Sequence, residues 1–320
     1  MNLALAEYYG SKDHFGVDFI TAPEVSQMFG EMVGLWLVQA WKDQGKPGNF
    51  HLVEFGPGRG TLMADILRVA EKIAPDFLPD VVLVENSEVL KNYQRIKLSN
   101  ASRVRWATHF EKDLEGAPLF VVANEFFDAL PIRQYVKTER GWCERMVVLN
   151  QTDELEFALA PVASGLKMEG ELGAVYEVCP TGTALMEEVA GVIAEKGGAA
   201  LVVDYGYAGG LGETLQAVRA SKFAGVLDKP GETDLSAHVD FAALASAAKS
   251  AGAEVWGPTG QGAFLKELGI ERRAEQLILA NPLEARSVDS ALQRLVSAGE
   301  MGSLFKAMAV MPTGFKPVGF

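Results

Sequence analysis

The hydrophobic positions change period along the chain, and each change marks an element. From Thr21 to about Gln44, Met28, Met32, Leu35, Trp36 and Val38 to Ala40 recur at helical spacing and build a broad apolar face. Thr21-Ala22-Pro23-Glu24 predicts a capping box with Pro in the first turn, Thr21 capping and Glu24 reaching back. Gly45 and Pro47 predict the stop. A short run that reads as a buried strand, His51 to Phe55, then feeds Gly56-Pro57-Gly58-Arg59-Gly60, after which Leu62, Ile66 and Leu67 share a helical face as far as Ala70. That is strand, glycine turn, helix. Strand-like runs at Val81 to Val84, Val104 to Ala107 and Leu119 to Ala123, with a helical stretch from Glu88 to about Leu98, repeat the alternation. It predicts an α/β fold with a parallel sheet covered by helices on both faces.

The pattern then breaks. From Ile132 to about Val178 it becomes short runs (Arg133 to Thr138, Cys143 to Asn150, Glu156 to Ala160) between turn residues, which predicts an inserted antiparallel β region. A helix from Thr181 to Glu195 leads into a strand from Ala199 to Tyr207, and Ala208 to His238 reads as loop without a period. Asp240 predicts the cap of a helix ending at Ser250, followed by a strand from Ala253 to Gly257, a helical addition from Glu267 to Ala298, and a last strand from Ser303 to Met311. The expected organisation is residues 1–131 as an N-terminal helix and the ligand-binding half of the core, 132–178 as the inserted β region, and 179–320 as the rest of the core with a helical insertion around 267–298.

Composition narrows the chemistry. A formal charge of −13 and an isoelectric point near 4.9 disfavour nucleic acid, which needs clustered Lys and Arg, and suit a basic protein or plain solubility. The two cysteines, Cys143 and Cys179, stand far apart with no His or Cys at metal spacing, which speaks against a zinc site and for a reducing, cytoplasmic location. The stretch Met28 to Trp41 is interrupted by Glu31 and Gln39 and too short to span a bilayer, and Met1 to Gly10 has no basic or Arg-rich leader pattern, so neither membrane nor targeting segment is expected. Glycine is abundant, 33 of 320 residues. Glycine serves tight turns and close ligand approach.

The glycine turn after the first strand directs backbone N–H groups and a helix N-terminus at a ligand. A dinucleotide fingerprint would place its third glycine at position 61, where this chain has Thr61. With the acidic Glu54 just before the turn, the spacing Gly56, Gly58, Gly60 suits S-adenosylmethionine, whose amino group and sulfonium are cationic, better than a pyrophosphate. Glu85 follows the second strand where a nucleotide site needs a carboxylate for ribose hydroxyls, with Asn86 beside it. His109, or Phe110, lies after the third strand where an adenine ring packs. Asn124, Glu125 and Asp128 follow the fourth strand, beside the switch point where such sheets bind ligands. Glu125 and Asp128 could hold a guanidinium acceptor; the alternative for Asp128 is to cap a turn before Pro131. His238 could orient the acceptor, relay a proton or serve a structural hydrogen bond.

Four segments together carry a resemblance: Asp18 to Glu31 (Asp-Phe-Ile-Thr-Ala-Pro-Glu-Val-Ser-Gln-Met-Phe-Gly-Glu), Val53 to Thr61, Asn124 to Pro131, and Asp234 to Phe241. In this order they resemble the MidA-like family of class I S-adenosylmethionine-dependent methyltransferases, whose mitochondrial members are complex I assembly factors that methylate an arginine of a core subunit. The resemblance implies a Rossmann-like sheet, parallel with a last antiparallel strand, and cofactor contacts from Gly56, Gly58, Gly60 and Glu85. It also implies that the segment Thr21 to Gln27 lies near the cofactor, and that the substrate is a protein with an accessible arginine; the residues alone leave open a small-molecule acceptor or a non-catalytic, cofactor-binding assembly role.

Overall fold

A computed structural model describes residues 1–11 and 21–320; Asp18, Phe19 and Ile20, which open the first family-like segment, lie outside the described residues. Helix α1 (Asn2–Ser11) comes first. The single helix expected from Thr21 is two, α2 (Ala22–Val25) and α3 (Gln27–Asp43), because Ser26 is extended at φ −164° and ψ 140°. Thr21 makes no side-chain cap; the Ser26 hydroxyl takes the Met28 N–H at 3.2 Å and starts α3 instead. Glu24 does not reach back either: its carboxylate accepts from the Thr61 hydroxyl at 2.5 Å and ties α2 to the next helix.

The alternation then appears as expected: β1 (His51–Phe55), α4 (Thr61–Ile73), β2 (Asp80–Val84), α5 (Glu88–Lys97), β3 (Val104–Ala107) and β4 (Leu119–Asn124). The inserted region forms a separate antiparallel sheet of β5 (Arg133–Thr138), β6 (Gly141–Leu149), β7 (Leu155–Leu159) and β8 (Val175–Val178), in the order β7-β6-β5-β8. Helix α6 (Pro180–Lys196) returns to the core strand β9 (Gly198–Tyr207). The stretch read as loop holds a small antiparallel sheet of β10 (Gln216–Arg219), β11 (Lys222–Phe223) and β12 (Asp234–Ser236), whose strands are too short to show a period. After β13 (Val239–Asp240), Asp240 caps α7 (Phe241–Ser250) by accepting from Ala242 and Ala243 N–H at 3.0 and 3.1 Å. Then follow β14 (Glu254–Gly260), α8 (Gln261–Glu267), α9 (Ile270–Ala280), α10 (Ala285–Val296), α11 (Met301–Leu304) and β15 (Phe305–Met311). The helical addition thus starts earlier than residue 267 and breaks at Gly269, whose φ of 89° no helix continues through.

The main sheet runs β14-β15-β9-β4-β1-β2-β3, with β13 added beside β9. Its strands β3, β2, β1, β4 and β9 are parallel, while β15 runs antiparallel to β9 and to β14. Both faces are covered, which is why the strands read as unbroken apolar runs. Leu52 packs with Trp36, Met63 and Ile66 under α3 and α4, whereas Val53 and Phe55 pack with Met186, Ile193 and Phe241 under α6 and α7. β2 lies on one side of β1 and β4 on the other, so the chain reverses direction between β1 and β4. A cleft opens at the carboxyl ends of such a pair. No described helix is long and apolar enough to cross a membrane.

Candidate active site

The cleft at this switch point encloses about 1340 Å³, more than the roughly 300–1,000 Å³ of an ordinary small-ligand pocket. One wall is the glycine turn. Gly56, Gly58 and Gly60 stand at φ 63°, 53° and 78°, in the left-handed region that a side chain resists. A Cβ on Gly56 would come within 3.0 Å of the Phe126 ring. Gly60 is the N-cap of α4 and packs against Gln94 of α5; it does not line the cleft, so its role is the turn itself. Gln94, fully buried and unremarked in the sequence, organises this wall. It donates to the Gly58 carbonyl at 2.6 Å and to Glu85 at 3.3 Å, and accepts from the Trp106 indole at 2.7 Å.

Glu85 follows β2 and turns one oxygen onto the N–H groups of Asn86 and Ser87, each at 2.8 Å. Burial raises its pKa against those donors. Glu54 is buried in β1, and burial, with Glu85 nearby, pushes its carboxyl to about 8. Its Oε2 has no hydrogen-bond partner, and neither does Oδ1 of Asn124 at the end of β4. Buried acceptors without partners are costly. They fit a ligand that brings cationic N–H donors. Thr21, Asn86, His109 and Phe110 also line the cleft, His109 bonded to the Thr108 hydroxyl at 3.1 Å and Phe110 beside Phe55 at 6.3 Å between ring centres. Gln27 does not: it is exposed at the start of α3.

The opposite wall is made of side chains from distant segments. Glu125 has φ 51°, and its Oε1 accepts from Ala22 N–H at 2.8 Å and from Asn124 at 3.2 Å, which fastens α2 to the end of β4. Asp128 is buried, with the Tyr205 hydroxyl facing its carboxyl and Oδ1 unpartnered. Burial pushes both carboxyls up to about 7, Glu125 further by Asp128 and Asp128 further by Asp234. The residue that builds this wall was not anticipated. Asp204, buried within β9, accepts from the consecutive N–H groups of Phe126, Phe127 and Asp128 at 3.1, 2.9 and 3.2 Å, and from its neighbour Tyr205 at 3.0 Å. Burial and the carboxyls of Asp128 and Glu125 raise the Asp204 pKa in spite of these donors. The sequence held one signal, an acid closing the apolar run Ala199 to Val203. His238 borders the cleft with its ring edge-on to Tyr205 at 5.2 Å, and burial lowers its pKa.

The family described as "Putative S-adenosyl-L-methionine-dependent methyltransferase" matches residues 32–259. The mitochondrial protein arginine methyltransferase NDUFAF7 of Homo sapiens is 36% identical over 95% of this chain and 76% of its own length, and that of Xenopus tropicalis 35% identical over 95% and 78%. A crystal structure from Burkholderia thailandensis bound to S-adenosyl-homocysteine superposes with a TM-score of 0.81 at 29% identity, covering 98% of this chain and 84% of that one. The chain therefore belongs to this family of S-adenosylmethionine-dependent methyltransferases, and S-adenosylmethionine is its cofactor.

Proposed function

We propose that this methyltransferase acts on the guanidinium nitrogen of an arginine in a protein. The observation that supports the reading most is Asp128, a buried carboxyl with a free oxygen at the acceptor side of the cleft, backed by Glu125. The relatives named as protein arginine methyltransferases support the same substrate class. A guanidinium presents a fixed fork of donors, and carboxylates both hold that fork and keep its charge off the attacking nitrogen. The cofactor, when bound, supplies an electrophilic methyl group on a sulfonium.

The remaining contributions come from the chain's own residues. Glu54 and Asn124 would receive the cofactor's amino group, Glu85 its ribose hydroxyls, and Phe110 or His109 its base. Asp128 would orient the attacking nitrogen and take the proton that nitrogen loses as its bond to carbon forms. A carboxyl near 7 suits that exchange, because it accepts a proton readily and returns it to water. Glu125 keeps α2 across the cleft and water out. Tyr205 and His238 would shape the acceptor's path. We place the protein in the cytoplasm, where free thiols such as those of Cys143 and Cys179 persist. The test is transfer of tritiated methyl from S-adenosylmethionine to protein from cells lacking this gene, with amino-acid analysis of the product. Label in methylarginine is expected. Label confined to small molecules, or to lysine, would overturn the reading.

A further inference from the structure

The inserted sheet has an edge that does not line the cleft. β7 is its outer strand, and among the described residues it pairs with β6 alone. The register sets Val147 beside Phe157 and Leu149 beside Leu155. Side chains alternate along a strand, so Val147, Leu149, Leu155, Phe157 and Leu159 share one mostly apolar face with Arg145, whose guanidinium lies 5.3 Å from the centre of the Phe157 ring. That face is open: Leu149 is 63% exposed, Val147 48% and Phe157 43%. Soluble proteins commonly protect such an edge with lysine, proline or a bulge within the strand. Leu155-Glu156-Phe157-Ala158-Leu159 has none of these.

The backbone shows which groups point outward. Ala160 N–H donates to the Glu144 carbonyl at 2.8 Å and Asn150 N–H to that of Glu154 at 2.9 Å. Hydrogen-bonding direction alternates along an antiparallel ladder. Glu154, Glu156, Ala158 and Ala160 therefore turn their N–H and C=O toward β6, while Leu155, Phe157 and Leu159 turn theirs away. Those three residues match themselves when the strand is reversed end for end. Leu155 meets Leu159 of a second copy, Phe157 meets Phe157, and Glu156 stands opposite Ala158, so no like charges face each other. We propose that β7 is the contact through which two copies of this chain pair, antiparallel, about a two-fold axis through Phe157. Every outward amide then gains a partner, and the two inserted sheets become one. The contact is isologous, as in most homodimers.

Sedimentation velocity of the full chain over a dilution series tests this. Wild type is expected to pass from dimer to monomer on dilution. Phe157→Lys, which sets two charges against each other on the axis, and Leu159→Pro, which removes an outward N–H without touching the bonds to β6, should both remain monomeric. Circular dichroism and retained S-adenosylhomocysteine binding would show that these variants fold. Ala158→Lys should tighten association, roughly tenfold, by facing Glu156 of the second copy, and Ala158→Glu should weaken it. A wild type that is monomeric throughout overturns the proposal. So does a dimer that survives both Phe157→Lys and Leu159→Pro, or one that responds alike to both charges at position 158.

Discussion

The two walls of the cleft are built on different plans. The cofactor wall is backbone: three glycines at positive φ, the N-terminus of α4, and one buried glutamine tying the turn to Glu85. The acceptor wall is carboxyl groups, Glu125 and Asp128 after β4, with Asp204 of β9 buried behind them and holding their loop. Backbone geometry is rigid and does not itself titrate near neutrality, so on this side Glu54 brings the dependence on pH there. The buried acids are positioned by one member, Asp204, and Glu125 and Asp128 change charge near neutrality. The difference teaches that cofactor binding and methyl transfer should separate under mutation and under pH.

The sharpest separation is expected at Asp128. Asp128→Asn keeps the volume but cannot take a proton, so methyl transfer should fall by about 10²–10⁴-fold. S-adenosylhomocysteine affinity, measured by titration calorimetry, should stay within about twofold of wild type. Loss of cofactor binding in this variant would join the two walls into one and end the distinction drawn above. Asp204→Ala acts one layer out. It strands the N–H groups of Phe126, Phe127 and Asp128, and should cost about 3 kcal/mol or more in urea unfolding, with transfer lost alongside. Gly58→Val attacks the other wall. A β-branched residue at φ 53° costs about 1–2 kcal/mol locally, and cofactor affinity should drop at least about tenfold. If Gly58→Val binds S-adenosylhomocysteine normally, the turn is not what holds the cofactor.

How far the sequence foretold each wall follows from the same contrast. The cofactor wall is local. Strand, glycine turn and helix are consecutive, so Gly56, Gly58 and Glu54 were legible from a dozen residues, and Glu85 from its spacing to the next strand. The acceptor wall depends on pairings between β4 and β9 that no local pattern encodes. Glu125 and Asp128 were visible as acids after a strand, but their different tasks were not: one oxygen of Glu125 is taken up by the first N–H of α2, whereas Asp128 keeps one free. Asp204 looked like the end of an apolar run. Gln94 looked like one more polar residue on an amphipathic helix. The break at Ser26 was hidden because Thr21 and Glu24 also satisfy the capping pattern. The small sheet of β10 to β12 was hidden because two to four residues are too few to show alternation.

The pH dependence separates the walls more gently. Glu54, Glu125 and Asp128 have pKa values raised above the ordinary carboxylate range, to about 8, 7 and 7. A carboxyl raised in the folded state binds its proton more tightly there than in the unfolded chain, so stability falls as pH rises through the interval between the two values. The cofactor-free protein should therefore lose urea resistance from about pH 4 to about pH 8, against the usual behaviour of paired surface acids. The cofactor's amino group favours the charged form of Glu54, so binding should release a proton below about pH 8. Calorimetry in two buffers of different ionisation enthalpy detects that release. Glu54→Gln should abolish it while sparing the pH dependence of Asp128.

The smallest effect is expected at Glu125, and it is the one that best tests the division of labour. Gln keeps an oxygen that can accept from Ala22 N–H, so the tie between β4 and α2 survives Glu125→Gln. If that tie is the residue's main task, transfer should fall only a few-fold, and cofactor affinity should hold. Removing the charge also relieves Asp128 of a like-charged neighbour, so the rise of activity with pH should shift to lower pH. Glu125→Ala cuts the tie, and should weaken cofactor retention as α2 loosens over the cleft. A loss with Glu125→Gln as large as with Asp128→Asn would instead make both carboxylates holders of the guanidinium, and the latch would be incidental.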